Sequence, residues 1–133
     1  MAGNVTGFQR SYTFRANGKH VTIGTDQAVV YGATMREVVV PDQDNLVPVG
    51  IVSYQYEDRD GGTVAVQLDR IAEIVAAEDI KFGDEIIVAE GGTAKAAKGL
   101  AAGTVANILG EAQNTVKAGD KVQILIRPRA KTV

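Results

Sequence analysis

Reactive side chains are scarce in this sequence, which contains no cysteine and a single histidine, His20. Without cysteine the chain has no disulfide bond, no thiolate metal site and no cysteine nucleophile. A lone histidine cannot build a multi-histidine metal centre, and no serine or aspartate is placed to form a recognisable triad with it. We therefore expect a surface or packing role for His20. We also expect no catalytic residue, no metal and no cofactor, and we expect that the protein is not an enzyme.

Two other patterns could in principle carry chemistry. Acidic pairs such as Asp84-Glu85 could serve acid–base or metal work, but neighbours in a strand face opposite ways, and such pairs are typical of solvated turns. The run "GGTAKAAKG" at residues 91–99 lacks the order of a phosphate-binding loop. Lys95 within it could be a modified carrier lysine at a hairpin tip, although its flanks do not match a lipoyl or biotinyl motif.

Long apolar runs and a strong net charge are also missing. The longest apolar runs, such as residues 38–40, are far too short to span a membrane, and the N-terminus lacks the features of a signal peptide. The net charge is −2. Residues 42–90 hold twelve acidic residues against three basic ones, and the remainder holds eleven basic residues against four acidic ones. Basic ends of this kind can guide docking onto an acidic partner, or they can be solvated tails. Since the basic residues are dispersed and no aromatic motif interleaves them, we expect no nucleic-acid partner and no membrane partner.

Short runs rich in β-branched residues dominate the chain, and turn signals separate them at intervals of about eight to twelve residues. This spacing predicts an all-β protein, a small antiparallel β-barrel or β-sandwich. A strand "HVTI" is expected after the Asn17-Gly18 turn, and Pro128 is expected to end the last strand. Residues 69–80 fit both a helical stripe and strand alternation. We favour a strand there, and the pattern also allows a short helical turn.

Two segments share one plan, in which a strand, a polar turn with glycine and a second strand follow each other. They are "PVGIVSYQYEDRDGGTVAVQL" at residues 48–68 and "TVANILGEAQNTVKAGDKVQIL" at residues 104–125. Both are predicted to be β-hairpins. Gly83-Asp84 and Gly119-Asp120 each provide a turn that starts an amphipathic strand, so these phrases are turns and not ligand loops.

The N-terminal residues suggest an extended arm, and we divide the chain into an arm at residues 1–18 and a single β-domain at residues 19–133. Phe8, Tyr12 and Phe14 share one parity, which gives the arm an apolar face. Either the arm folds back to close the domain's own sheet, or it lies on another molecule. For the second case we predict that the partner-binding residues are Phe8, Arg10, Tyr12, Phe14 and Arg15.

From about Val47 to Ile126 the chain resembles the capsid decoration (cement) proteins of tailed bacteriophages, whose relatives were formerly labelled recombinase-like. The resemblance follows the order of "VPVGIV", "TVAVQLD", "IVAAEDIKFGDEIIV", "GTVANILGEA" and "KAGDKVQILI". It implies a small barrel-like protein, similar to a β-tulip, that binds the outer surface of the phage head. The implied partners are the major capsid protein and further copies of the chain in a homotrimer. The implied location is the virion, after synthesis in the host cytoplasm. The alternatives are another head or tail component, or a carrier or accessory β-domain modified at Lys95.

Overall fold

The computed structural model describes residues 7–57 and 59–133, and it confirms the predicted all-β fold. Apart from one 3₁₀ turn at Ala97–Gly99, the regular structure in this part of the chain consists of ten strands. The strands are β1 (Gln9–Phe14), β2 (Ala28–Tyr31), β3 (Glu37–Val39), β4 (Pro48–Gln55), β5 (Thr63–Gln67), β6 (Arg70–Val75), β7 (Glu85–Val88), β8 (Ala94–Ala96), β9 (Val105–Ala112) and β10 (Lys121–Thr132).

The first five strands form a closed barrel in the order β1-β3-β2-β4-β5, and β5 pairs back onto β1. β1 runs antiparallel to β5 over five residue pairs, and it runs parallel to β3 over two. Because successive side chains of a strand point to opposite faces, every second residue enters the barrel. The interior is mostly valine, with two aromatic rings from β1. Its buried residues are Tyr12, Phe14, Ile23, Val29, Val38, Val40, Val49, Val52, Val64 and Val66.

Strands β6 to β10 form a second, antiparallel sheet in the order β6-β10-β9-β7-β8. One face of this sheet packs against the outside of the barrel. Ala28 and Ile51 are barrel residues, yet they belong to the same buried cluster as Ile74, Leu109 and Ile124 of the second sheet. The barrel and the second sheet therefore share one hydrophobic core across the barrel wall.

Both repeated segments are hairpins, as predicted, since β4 pairs with β5 and β9 pairs with β10. Gly83 and Gly119 adopt φ values of 87° and 91° in the turns that precede β7 and β10. Such positive φ values favour glycine, so the two Gly-Asp phrases are turns, as expected. The strand interpretation of residues 69–80 is also confirmed, since β6 occupies Arg70–Val75.

The strand expected at "HVTI" is not formed. An isolated bridge joins Asn17 to His20, and residues 21–24 have no strand pairing. Ile23 is buried in the barrel core, whereas Val21 is exposed. The alternation in "HVTI" thus arises because Ile23 alone is buried in the barrel, and no hydrogen-bonded strand pair forms there.

The expectation that Pro128 ends the last strand is also wrong, because β10 continues to Thr132. The pairing with β9 shifts register between Ile126 and Arg129, which places Pro128 within a bulge. A residue in a bulge is left out of the ladder, so the missing N–H of proline costs no hydrogen bond there.

Asn45 ties the loop between β3 and β4 to the second sheet. Its backbone N–H donates to the carbonyl oxygen of Val88 at 2.9 Å, and its side-chain Nδ2 donates to that of Val105 at 2.9 Å. Asn107 donates twice to Asn45, from its backbone nitrogen to Oδ1 and from its Nδ2 to the carbonyl oxygen, both at 2.8 Å. Asn45 has a φ of 67°, a conformation that asparagine tolerates better than most residues. One residue therefore supplies a polar clamp beside the shared core.

The C-terminal part of β10 carries three cations that neutralise two glutamates. Glu85 and Glu111 lie directly opposite each other on β7 and β9. Arg129 bridges them, with 2.8 Å to Glu85 and 2.7 Å to Glu111. Lys131 also contacts Glu85 at 2.9 Å, and Arg127 contacts Glu111 at 2.9 Å. Since two like charges facing each other across a sheet repel, this cluster lets β7 and β9 pair at these positions.

We expect Asn45→Ala to destabilise the protein more than Asn45→Gly does. Both variants lose the side-chain hydrogen bonds, which contribute about 1–3 kcal/mol together. The left-handed backbone conformation of residue 45 lowers the free energy of unfolding of the alanine variant by about 1 kcal/mol more, and it has no such effect on the glycine variant. Urea unfolding of the three proteins measures the difference. Equal stability of the two variants would show that backbone strain at residue 45 is absent.

Stability should fall on acidification partly through Glu85. The hydrogen bond from Lys131, followed by that from Arg129, lowers the pKa of Glu85 below its ordinary value of 4.5 in the folded protein. A carboxyl group of this kind stabilises the fold above its unfolded-state pKa, and the contribution is lost as the pH falls through the folded-state pKa. Glu85→Gln should therefore be less stable than the wild type at neutral pH.

Thermal melting from neutral to acidic pH measures this effect. The gap between wild type and Glu85→Gln should narrow as the pH falls below 4.5. Glu57→Gln removes the same charge from an exposed turn outside the cluster and serves as the control. If the difference in melting temperature between wild type and Glu85→Gln stays constant with pH, the lowered pKa of Glu85 is contradicted.

Candidate functional site

The structure divides the five predicted contact residues into two groups. Tyr12 and Phe14 are 5% and 0% exposed and belong to the barrel core. Phe8 is 61% exposed, and Arg10 and Arg15 are also exposed. Thus β1 folds back to close the chain's own sheet, and a boundary after residue 18 falls inside the barrel. Three of the five side chains are thus exposed in the folded protein.

The two exposed arginines have different surroundings. Arg15 donates from Nε to Glu37 at 2.7 Å and lies 3.9 Å from Asp60, so it ties β1 to neighbouring elements. The hydrogen bond with Glu37 raises the pKa of Arg15 further. Arg10 has no carboxylate partner among residues 7–57 and 59–133, and the same is true of Arg36. Two cations without a carboxylate partner in the described residues therefore lie beside the same strand.

A shallow groove of about 300 Å³ runs along β1 and ends at the start of β3. The guanidinium of Arg10 lies over the ring of Tyr12, 5.9 Å from its centroid, which is a cation–π contact. Burial raises the pKa of Tyr12, and Tyr31 beside it adds to the rise, so the ring stays neutral. The groove is lined by Arg10, Ser11, Tyr12, Thr13, Arg36 and Thr63.

The first half of β1 has an open edge in this groove. Leu68 donates to the carbonyl of Phe8, and Phe14 donates to that of Gly62, so the even-numbered backbone groups of β1 face β5. The odd-numbered groups face the other way, where Thr13 donates to the carbonyl of Arg36. β3 reaches only the end of β1. The backbone of Ser11 therefore has no strand beside it in the described part of the chain, and such an edge can accept an added strand.

Exposed side chains that were not predicted lie near this edge. Met35 is 75% exposed in the turn that joins β2 to β3, next to Arg36. Tyr31, at the end of β2, is partly exposed and contacts Tyr12. Nothing in the local pattern separates these residues from ordinary turn residues. Only the parallel pairing of β3 with β1 brings them to the N-terminal strand.

Lys95 does not occupy a hairpin tip. It lies within β8, opposite Ile87 of β7, and the tip of that hairpin is formed by Gly91 and Gly92. Its Nζ donates to Asp44 at 2.8 Å, and this hydrogen bond raises the pKa of Lys95. A carrier lysine needs a free, projecting amine, so this setting does not favour modification.

His20 is mostly buried beside the glycine-rich β7–β8 turn, with its Nε2 close to Glu90. The contact lacks hydrogen-bond geometry. Within the described ranges, no group of three or more histidine, aspartate or glutamate side chains is arranged to hold a metal ion. No helix in the described residues has the length and apolar character needed to span a bilayer.

No model of a known protein family matches the chain, and no curated protein matches it. Among solved structures, the chain is similar to the crystal structure of the head fiber gp8.5 N base of bacteriophage phi29. The match has a TM-score of 0.63 and 21% sequence identity, and it covers 90% of this chain and 95% of that chain. At this identity the likeness establishes a shared fold.

The open edge of β1 can be tested by proline substitution at adjacent residues. Ser11→Pro should cost about 1 kcal/mol or less, because the Ser11 N–H points away from β5 and proline is tolerated at strand edges. Arg10→Pro should cost about 3 kcal/mol or more, because it removes a ladder hydrogen bond with β5. Circular dichroism and urea unfolding measure both. Equal losses would mean that the Ser11 amide is already bonded.

Proposed function

We propose that this protein is a capsid decoration (cement) protein of a tailed phage, bound to the outer surface of the head. The observation that carries the proposal is the fold, which over 90% of the chain is similar to the base of a phage head fiber. The sequence resemblance to decoration proteins supports the same class, and the stretch that carries it, from about Val47 to Ile126, covers strands β4 to β9 and the first half of β10.

The action of such a protein follows from binding equilibria. Neighbouring subunits of a DNA-filled shell are pushed apart, and the seams between them tend to open. A protein that contacts several major capsid subunits at once binds the closed lattice and not the separated subunits, so it stabilises the lattice by linkage. Each contact can be weak, because simultaneous contacts reinforce one another through effective concentration. A homotrimer, which we include in the proposal, would multiply these contacts further.

The groove along β1 is the surface that we assign to the shell. Its open strand edge offers backbone hydrogen bonds to an extended segment, and Arg10 and Arg36 offer positive charge that the described chain does not neutralise. Phe8 and Met35 add exposed apolar area at its margins. The five residues predicted from the sequence lie on or next to β1, the strand of the proposed surface, and Tyr12 and Phe14 pack inside the barrel beneath it.

A second candidate is the base of a head fiber, and the structural likeness to such a base favours it. Both functions place the protein on the head, but they differ in number and shape. A cement protein covers the lattice in many copies, whereas a fiber base carries a projecting shaft. Cryo-electron microscopy of virions that contain the protein distinguishes regular coverage from isolated projections.

Mixing the purified protein with undecorated phage heads tests the proposal directly. We expect the protein to cosediment with heads and to add regular density at fixed lattice positions in cryo-electron micrographs. Decorated heads should also resist heating better than bare heads, because the protein binds only the assembled lattice. If the protein stays in the supernatant and the micrographs show bare lattices, the proposal is wrong.

Charge reversal tests which surface meets the shell. The double variant Arg10→Glu and Arg36→Glu should bind heads about tenfold more weakly or worse, since like charges at an interface are strongly unfavourable. Arg70→Glu with Lys81→Glu makes the same charge change on β6 and on the loop that joins β6 to β7, and it should bind as the wild type does. Cosedimentation at low and high salt measures both effects. A stronger loss in the control pair would move the contact to the other sheet.

A further inference from the structure

The C-terminal part of β10 has an open edge of its own, on the second sheet. The ladder between β10 and β6 ends at the pair Ile126 and Arg70. Arg70 has a φ of 62° and starts β6 directly after the turn from β5. Within residues 7–57 and 59–133, no strand lies beside β10 beyond Ile126 on the side that β6 occupies. An extended segment can be added to a sheet at such a place.

Two residues present their backbone groups to this edge. Val133 donates to the carbonyl of Thr104, so the odd-numbered backbone groups at the end of β10 face β9. Because neighbouring residues of a strand point their N–H and C=O groups in opposite directions, Ala130 and Thr132 face away from β9. Their backbone groups have no hydrogen-bond partner among the described residues, and both residues are exposed. These four groups are a ready template for another strand.

The side chains on the barrel side of this edge form an exposed surface without ionisable groups. Ala130 pairs with Asn107, and Thr132 pairs with Val105. Asn107 donates from Nδ2 to the loop between β3 and β4 at 2.8 Å, so this row faces that loop. Val47 in the loop is 59% exposed, Val105 is 52% exposed, and a groove of about 310 Å³ lies between the loop and β10. We name this surface the β10 shelf, and its residues are Val47, Val105, Asn107, Pro128, Ala130 and Thr132.

The other face of the same edge is cationic. Arg129 and Lys131 bind Glu85 on this face, and Arg129 also binds Glu111. Arg127 binds Glu111 as well, so three cations meet two carboxylates. These cations are already paired and do not recruit a partner, but a lysine or arginine placed beside them would meet an excess of positive charge. The side chains of an added strand on this face are therefore acidic or neutral.

The same charges argue against a second copy of β10 as the added strand. An antiparallel copy centred on Ala130 would bring Lys131 opposite Arg129 of the second copy, and one centred on Lys131 would bring two lysines together. Like charges directly opposite each other destabilise a ladder. Pro128 and its bulge limit the edge further. The edge is therefore protected against pairing with itself and remains open to a strand of different chemistry.

We propose that the β10 shelf and its open edge bind an extended segment of another protein by strand addition. The segment carries apolar side chains at alternate positions, which lie on the shelf, and acidic or neutral side chains between them, which face Arg129 and Lys131. Backbone hydrogen bonds to Ala130 and Thr132 provide affinity, and the two faces select the sequence. This binding goes beyond attachment to the shell through β1 and does not depend on it.

Amide hydrogen exchange of the full chain, followed by NMR, tests the edge itself. In the free protein, the amides of Ala130 and Thr132 should exchange about tenfold faster or more than those of Arg129 and Lys131, which face β9. Adding a peptide of alternating valine and glutamate, acetyl-VEVEVE-amide, should slow exchange at Ala130 and Thr132 and shift their resonances. If both amides are already protected in the free protein, the edge is covered and the inference is wrong.

Two matched peptides test the chemistry of the two faces. Acetyl-VKVKVK-amide reverses the charge, and acetyl-VVVEEE-amide keeps the composition but loses the alternation. Each should bind about tenfold more weakly or worse than the alternating acidic peptide, since like charges and misplaced charges oppose binding. Titration calorimetry measures the three affinities. The inference is overturned if the alternating acidic peptide does not bind, or if all three peptides bind equally.

Substitutions locate the binding. Ala130→Pro removes an N–H at the open edge and should abolish binding of the alternating acidic peptide, whereas Ala130→Gly keeps the N–H and should retain binding. Val105→Asp puts a charge on the shelf and should weaken binding about tenfold. Phe82→Ala, in the loop between β6 and β7, and the charge-reversed pair at Arg10 and Arg36 should leave it unchanged.

Thermal melting checks that each variant is folded, and Val105→Asp decides the matter if the proline variant does not fold. Full binding by the folded proline variant, or by the aspartate variant, would overturn the inference. Sedimentation adds a further check. If the proline or the aspartate substitution dissociates an oligomer, the edge joins copies of the chain and the proposed occupant is wrong.

Discussion

The fold depends on a barrel wall that is apolar on both of its faces. In most antiparallel sheets one face packs on a core and the other meets water. Here β2 and β4 place Val29 and Val52 inside the barrel, while Ala28 and Ile51 enter the core of the second sheet. Neither sheet could expose that wall to water without losing part of its core, at a cost of about 25 cal/mol for each Å² of apolar surface. The two sheets are therefore joined by burial, and Asn45 adds polar contacts at the margin.

This constraint decides which surfaces remain free. The wall formed by β2 and the first half of β4 is covered by the second sheet, so the barrel offers the outer face of β1 and the end of β4 to solvent. The same strand β1 has an edge that β3 covers only in part. The surface that we propose for binding the shell arises at this place. It is a part of the barrel that the shared core does not use.

The local features of the fold could be predicted from sequence, because they depend on residues close together in the chain. Alternation and turn residues were sufficient for both hairpins and for β6. The positive φ of Gly83 and Gly119 follows from the same local chemistry. The expectation that Pro128 ends the last strand was wrong for a related reason. A proline forbids a ladder hydrogen bond at its own position, but the sequence does not show that a bulge removes the need for that bond.

Non-local features could not be predicted in this way. The apolar parity of β1 indicates a buried face, yet it is the same whether the strand closes its own barrel or lies on another molecule. The surface partners of β1 are even less visible. Arg36 reaches Arg10 only through a parallel pairing across more than twenty residues, and Tyr54 and Tyr56 meet Ser11 and Thr13 only through β5. Alternation along one strand puts Tyr54 and Tyr56 on the same face, but only the pairing shows which side chains of other strands lie beside them.

The distribution of charge completes the physical description. On the second sheet, the three cations at the end of β10 form ion pairs with Glu85 and Glu111. These cations therefore hold strands together and are poorly placed to attract a partner. On the barrel, Arg10 stacks on Tyr12 and has no carboxylate partner in the described part of the chain. The basic termini seen in the sequence are thus physically different. The C-terminal one stabilises the fold. At the N-terminal one Arg15 and Lys19 contact carboxylates, and Arg10, whose strand is held by backbone pairing and buried rings, is left without one in the described residues.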